Sequence, residues 1–354
     1  MNDRQIYKKA AQLLEAGQNV ALVTVISATG STPGKVGYKM LVWGKNAQTL
    51  GTVGGGFIEA EMITTAKNLL PKSQTQLCSF DLDGTPDDQK PICGGLIELL
   101  IETFDKNSLP LFKDLSTADN PPNAALISII SPEKSPEKIL LKNVGHPDTF
   151  TGLNFSPETI KSVKQIVAKE QTTKTTLPDG TQIFIETISQ QPKLFIFGAG
   201  HLASHISRYA KSLNFRVTVW DDRPEFANKD RFPDADNIIV DHYENVFGQL
   251  DTNDNSYIVI VTKGHKSDQT VLEKALKTNA KYIGMIGSRK KTSAILKNLN
   301  ERNVPQQSLS RVYSPIGISI GALTPEEIAF SIVAELVKIR RLGTTPQPNH
   351  MTIA

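Results

Sequence analysis

Cysteine is almost missing from this sequence: Cys78 and Cys93 are the two in 354 residues. Two thiols cannot build a disulfide framework, which excludes small stapled folds and fits a reducing compartment. Aromatic residues are few, at 6%, and neither charge sign is in excess, with a formal net of +3. No basic run and no basic patch interleaved with aromatics stands out, so nothing here calls for a nucleic-acid partner. Long apolar runs are missing too. The opening MNDRQIYKKAAQLLEAG lacks a signal-type apolar core, and no stretch approaches the ~20 residues of a membrane span. The expectation is a cytoplasmic protein with no membrane association. A Ser-His-Asp order, His-Glu-x-x-His and Cys-x-x-Cys are also missing, which leaves hydrolase and structural-zinc chemistry without support.

What is present is organised around Lys193 to Ala203, KLFIFGAGHLA. Leu194 to Phe197 form an uncharged run that reads as a strand buried on both faces. Gly198, Gly200 and Ala203 give G-x-G-x-x-A, and a helical pattern follows to about Leu213. Glycines at this turn let a ligand approach the backbone, and the helix start offers unpaired N–H groups to an anion. Asp221 lies about 20 residues on, where a dinucleotide-binding fold places a carboxylate on a ribose hydroxyl. Further strands are expected at Arg216–Trp220, Asn237–Val240, Tyr257–Thr262 and Tyr282–Ile286, mostly separated by helical patterns. That alternation predicts an α/β domain over 191–345, a Rossmann-like parallel sheet with helices on both faces. A polar tail is expected over 346–354. The last helix has an explicit start at Thr324-Pro325-Glu326-Glu327, a capping box with proline in the first turn.

Ligands of open α/β sheets bind beyond the carboxyl ends of the strands. There this sequence places Gly198, Gly200 and His201, then Asp221, Asp222 and Arg223, then Lys263, Gly264 and His265, then Ser288, Arg289 and Lys290. Two histidines, carboxylates and a basic cluster converging on one crevice point to a phosphate-bearing ligand. Helix capping accounts equally for Ser288, and for Asp268 in the same region.

Residues 1–190 read as an α+β domain. A helix is expected near Asp3–Ala16, strands at Asn19–Ile26 and Tyr38–Trp43 around a loop SATGSTPGKVG, and a helix over Phe57–Leu70. Gly54, Gly55 and Gly56 before that helix can form a nest of N–H groups for an anion, with Ser31, Thr32, Lys35 and Lys39 nearby. A tight glycine turn packing helix on sheet explains the same residues. Cys93, before Gly94-Gly95, is a candidate soft ligand or sulfur acceptor. Lys106 to Asn123 is expected to be a linker. The segments 20–104 and 124–188 echo one another: ALVTVIS and ALISIIS, KMLV and KILLK, IELLIE and IFIETI, which suggests an internal duplication.

These blocks resemble the XdhC/CoxI family of xanthine dehydrogenase accessory proteins. The likeness rests on GSTPGKVGYKMLV, GTVGGGFIEAE and CGGLIELLIE in the first domain. The second contributes FIFGAGHLA, VTVWDDRPEFA, VTKGHKSDQTVLEKAL, YIGMIGSRKK and PIGISIGALTPEEIAFSIVAE. The resemblance implies a chaperone, more than an enzyme, that binds the molybdenum cofactor as the pterin or its dinucleotide. It would protect that cofactor during sulfuration and deliver it to an apo molybdenum hydroxylase, with a cysteine desulfurase as partner and a homodimer as plausible assembly. The rival reading is an NAD(P)-dependent oxidoreductase, which shares Gly198, Gly200 and Asp221 but has no use for the GSTPG and GGG blocks. Many relatives carry a cysteine after the triple glycine where this chain has Phe57, which neither ligates a metal nor accepts sulfur. Cys93 is then the motif cysteine that remains, and the candidate for any contact with metal.

Overall fold

The computed structural model describes residues 3–83, 92–117, 124–132, 134–150, 155–188, 190–248 and 250–343. The expected tail over 346–354 and most of the acidic loop before Cys93 lie outside the described residues. The chain divides into two compact units, Met1–Gln190 and Gln191–Ala354.

The first unit runs α1 (Asp3–Glu15), β1 (Val20–Gly30), β2 (Lys39–Trp43), β3 (Gln48–Gly51), α2 (Gly56–Leu69), β4 (Thr75–Asp83), β5 (Ile92–Phe104), α3 (Leu109–Ser116), β6 (Ala124–Ile129), β7 (Glu137–Leu141), α4 (Pro157–Ala168), β8 (Thr173–Thr176) and β9 (Gln182–Ile188). Helix α1 buries Ile6, Ala10, Leu13 and Leu14. It ends where Gly17 and Gln18 donate back to the carbonyls of Leu14 and Leu13. Strand β1 outruns its expected end: a bulge between Val25 and Ser27 carries it on to Gly30, opposite Gly95. The expected linker also holds a helix, α3, because Phe112 and Leu115 fall on one side and are buried with residues of α1.

Two antiparallel sheets result, ordered β3-β2-β1-β5-β4 and β7-β6-β9-β8. Their registers correspond. Ala21 of β1 faces Val42 and Thr103; Ala125 of β6 faces Leu141 and Thr187. In each half a helix connects the second strand of the hairpin to the remaining pair, directly in the second half and by way of β3 in the first.

The halves are joined crosswise by buried charge. Lys39 on β2 pairs with Glu186 on β9, and Lys138 on β7 with Glu102 on β5 at 2.7 Å. Both lysine side chains are 1% exposed. Lys39 also donates to Asp3 at 2.9 Å and to the Gly37 carbonyl at 3.0 Å. Its charge is therefore spent inside the fold, not offered to the glycine loops as the sequence suggests.

The second unit runs β10 (Lys193–Phe197), α5 (His201–Ser212), β11 (Arg216–Asp221), β12 (Asn237–Val240), β13 (Ser256–Ile260), α6 (His265–Ala275), β14 (Tyr282–Met285), α7 (Arg289–Glu301), α8 (Gln306–Leu309), β15 (Val312–Tyr313) and α9 (Pro325–Leu342). Six parallel strands lie in the order β12-β11-β10-β13-β14-β15. Leu194, Ile196, Val217 and Val219 cluster with Ala203, Ile206, Ile332 and Leu336 of α5 and α9. Phe195, Phe197, Ile258 and Ile260 cluster with Val271, Leu272, Ile295 and Leu299 of α6 and α7. This is a Rossmann-like sheet covered on both faces, and its order reverses between β10 and β13, the kind of point at which open α/β sheets as a class bind ligands.

The capping box of α9 forms as its sequence predicts. Thr324 Oγ1 accepts from the Glu327 N–H at 3.3 Å, and Glu327 accepts from the Thr324 N–H at 3.0 Å. Thr324→Ala should cost about 1 kcal/mol, measured by urea unfolding.

Candidate functional site

The carboxyl ends of β10 and β11 form the first half of the site. Gly198, at φ 107°, sits where a Cβ would lie 2.3 Å from the Val261 carbonyl oxygen, so only glycine lets the turn pass the end of β13. Gly200 caps α5, and a Cβ there would meet nothing within 4 Å. The space in front of the helix is open. His201 is the first residue of α5 and is exposed.

Asp221 is placed differently from the ribose contact that its spacing suggests. It is fully buried. One carboxylate oxygen accepts from the Ala199 N–H at 2.7 Å and from Arg223 at 3.0 Å; the other accepts from the Arg223 N–H at 3.1 Å and Nε at 2.8 Å. Burial pushes this carboxyl up, but the hydrogen bonds from Arg223 and Ala199 and the guanidinium charge outweigh it and hold it below the usual carboxylate range. Asp221 clamps the glycine turn, and Arg223, stacked 4.0 Å over the Phe226 ring, is committed to the same clamp. Asp222 sits beside this clamp: its Oδ1 is buried without a hydrogen-bond partner among the described residues, 3.7 Å from Arg223 Nε and 3.9 Å from Lys263 Nζ. Sequence reasoning missed Tyr243, which is held well above the usual phenol range by burial and by Asp221 and Asp222, and so stays a donor.

The second half lies beyond β13 and β14. Lys263, His265, Ser288, Lys290 and Lys291 line an open cleft of about 740 Å³ between α6 and α7. Three of its ten lining residues are lysines and none is acidic. Ser288 caps α7, accepting from the Lys291 N–H at 3.3 Å. Asp268 does not cap; it is fully buried, accepts from Thr262 Oγ1 at 2.6 Å and pairs with Lys291. Arg289 begins α7, exposed, and does not line the cleft.

In the first unit the glycine segments pack backbone on backbone. A Cβ on Gly54 would lie 2.6 Å from the Gly34 amide nitrogen, which sets the triple glycine against the GSTPG loop. The nest is filled from within. Glu59, one turn into α2, accepts from the N–H groups of Val53 and Gly55, both at 3.1 Å, and from Thr52 Oγ1 at 2.5 Å. The Gly54 N–H goes to Thr52 Oγ1 at 3.1 Å. Glu59 thus occupies the position expected of an outside anion, and Gly56 is the first residue of α2 behind it. A carboxylate in the first turn of a helix that follows glycines was the signal for this. Ser31 is exposed, while Thr32 is buried and donates to the Gly34 carbonyl at 2.8 Å. Phe57 is 47% exposed and meets the Phe80 ring edge-on. Cys93 lies on β5, but its side chain is outside the described residues. Cys78 is half-buried, and burial pushes its thiol up, away from thiolate chemistry.

Among the described residues no group of three or more His, Cys, Asp or Glu is arranged to hold a metal ion. No helix there is long and apolar enough to cross a membrane.

Comparison with known proteins agrees with both units. Residues 13–81 match the XdhC and CoxI family, and residues 194–336 match the XdhC Rossmann domain. A Bacillus subtilis protein named as a probable xanthine dehydrogenase component is 28% identical over 93% of this chain and 96% of its own length. The molybdenum cofactor insertion chaperone PaoD of Escherichia coli is 20% identical over 95% of this chain and 88% of its own. A crystal structure described as a xanthine dehydrogenase from Bacillus halodurans shares the fold, with TM-score 0.76, 24% identity and coverage of 99% of this chain and 98% of that one. With both family segments present in order, the chain belongs to the XdhC and CoxI family.

Proposed function

We propose that this protein binds the molybdenum cofactor as cargo, shields it during sulfuration and delivers it to a xanthine dehydrogenase-type hydroxylase. The observation that carries this reading is the acid-free, three-lysine cleft beside an open glycine turn, at the reversal point of the sheet. An anionic pterin phosphate suits that chemistry: cations and N–H groups hold the phosphate, and the exposed His201 and His265 offer ring nitrogens at its edge. The full-length likeness to PaoD supports the same cargo. Replacement of oxo by sulfido on the bound metal needs a sulfur donor, hence a cysteine desulfurase as partner, and Cys93 is the candidate thiol on this chain.

The rival NAD(P) reading loses ground on one point. A dinucleotide fold needs a free acceptor for the ribose hydroxyls, and Asp221 has given its acceptors to Ala199 and Arg223. The test is retention. Purified protein is incubated with molybdenum cofactor or NAD(P), free ligand is removed, and the co-eluting species is identified. Pterin should co-elute; NAD(P) without pterin would overturn the proposal.

A further inference from the structure

We infer that the cleft between α6 and α7 is a phosphoryl subsite in its own right, separate from the glycine turn, with Lys291 as its organised cation. This deepens the cargo reading and rests on it for the identity of the natural ligand, though not for the chemistry of the site.

Lys263, Lys290 and Lys291 line one cleft with no carboxylate on its wall. Two of these ammonium groups have a carboxylate near them, Asp268 at Lys291 and Asp222 3.9 Å from Lys263 Nζ, so the cleft of about 740 Å³ keeps a net positive wall that favours an anion. Lys291 differs from the other two. Its side chain is 31% exposed, and behind it stands Asp268, which is fully buried. Thr262 fixes the other oxygen of that carboxylate by a 2.6 Å hydrogen bond. A buried carboxylate orients one N–H of Lys291 inward and leaves two donors for the cleft. Asp268 is a positioning residue: it touches Lys291, not the ligand. Ser288, the cap of α7, and Asn298 supply neutral polar groups on the same wall. A compact, multiply charged phosphoryl group fits this set better than a carboxylate, because one dianion or pyrophosphate can meet all three lysines.

Inorganic pyrophosphate is the probe, titrated calorimetrically into the full chain at low ionic strength. One equivalent should bind. Lys291→Met should weaken it about tenfold, the loss of one charge-assisted hydrogen-bonding group, while Lys291→Arg should keep most of the affinity. Because Lys291→Met strands the Asp268 carboxylate, the neutral pair Asp268→Asn with Lys291→Met is the second arm and should bind as weakly. Asp268→Asn alone should fall between parent and Lys291→Met with its melting curve still cooperative. Lys169→Met, on the surface of the first unit, should bind like the parent. No binding, parent-like binding by both Lys291→Met variants, or equal weakening by Lys169→Met overturns the inference. Pyrophosphate binding through Lys291 in a protein that retains no pterin would sink the cargo reading and leave this subsite standing.

Discussion

Lys39→Met should lower the stability of the protein by about 3–5 kcal/mol, a large share of the 5–15 kcal/mol typical of a folded domain. The lysine side chain is 1% exposed, and removing it strands Glu186, which is 8% exposed. Asp3, half in water, can rehydrate; Glu186 cannot. Burial alone would lower the Lys39 ammonium, but Glu186, Tyr7 and Asp3 overcome it and hold the group well above its ordinary range. A raised lysine contributes its stability in full below the unfolded value of about 10.4 and loses it only as pH rises past that. The gap between parent and variant should therefore be constant from neutral pH to mildly basic pH. Replacing both partners, Lys39→Met with Glu186→Leu, should recover most of the loss. Urea unfolding across pH measures all three. A Lys39→Met protein as stable as its parent would show that the crosswise pair contributes nothing.

The corresponding pair differs in balance. Burial pushes the Glu102 carboxyl up and Lys138 only partly reverses it, and Glu102 Oε1 has no hydrogen-bond partner among the described residues. The two halves of the first unit thus share strand order and register but not equal electrostatics. That repeat is legible in the sequence because strand segments carry it: ALVTVIS and ALISIIS are β1 and β6 with their flanks. The crosswise pairing is not, since it joins residues 147 positions apart in one case, Lys39 and Glu186, and 36 in the other, Glu102 and Lys138, and no local pattern encodes it. In the second unit, composition and alternation locate five strands, and the sixth, β15, escapes because two residues carry no periodicity. The choice between Asp221 and Asp222 is within reach. Strand alternation puts Asp221 on the side of Val217 and Val219, toward α5, and sends Asp222 to the side of Trp220. Lys291 is not within reach: adjacent Lys290 looks the same in sequence, and only the helix phase decides which of them meets Asp268. The glycines of the nest are visible in sequence, but its occupant is not, because Glu59 belongs to the helix that the nest begins.

Asp221→Asn should destabilise the second unit by about 2–3 kcal/mol at neutral pH, since an amide offers one acceptor oxygen where the carboxylate offers two. Either the Ala199 N–H or the Arg223 donors must then face an NH₂ group. Arg223, 22% exposed, recovers part of its loss from water; Ala199, fully buried, does not. The pH dependence has a fixed sign. The folded-state carboxyl lies below its ordinary value, so its contribution is complete above the unfolded value of about 3.9 and fades as pH falls through the folded one. Parent and variant should differ most at pH 7 and draw together only as pH falls below about 3.9 in thermal melts. Function should divide along the same line. With the Ala199 N–H unanchored, the turn at Gly198 and Gly200 loses its geometry and pterin retention should fall. Pyrophosphate binding at the α6/α7 cleft, whose walls do not include Asp221, should persist. A stability gap unchanged down to pH 3, or loss of both ligands together, would mean that Asp221 does not act as the clamp of the turn. It would then have to be a general support of the unit, and the glycine turn and the lysine cleft would be one site, not two.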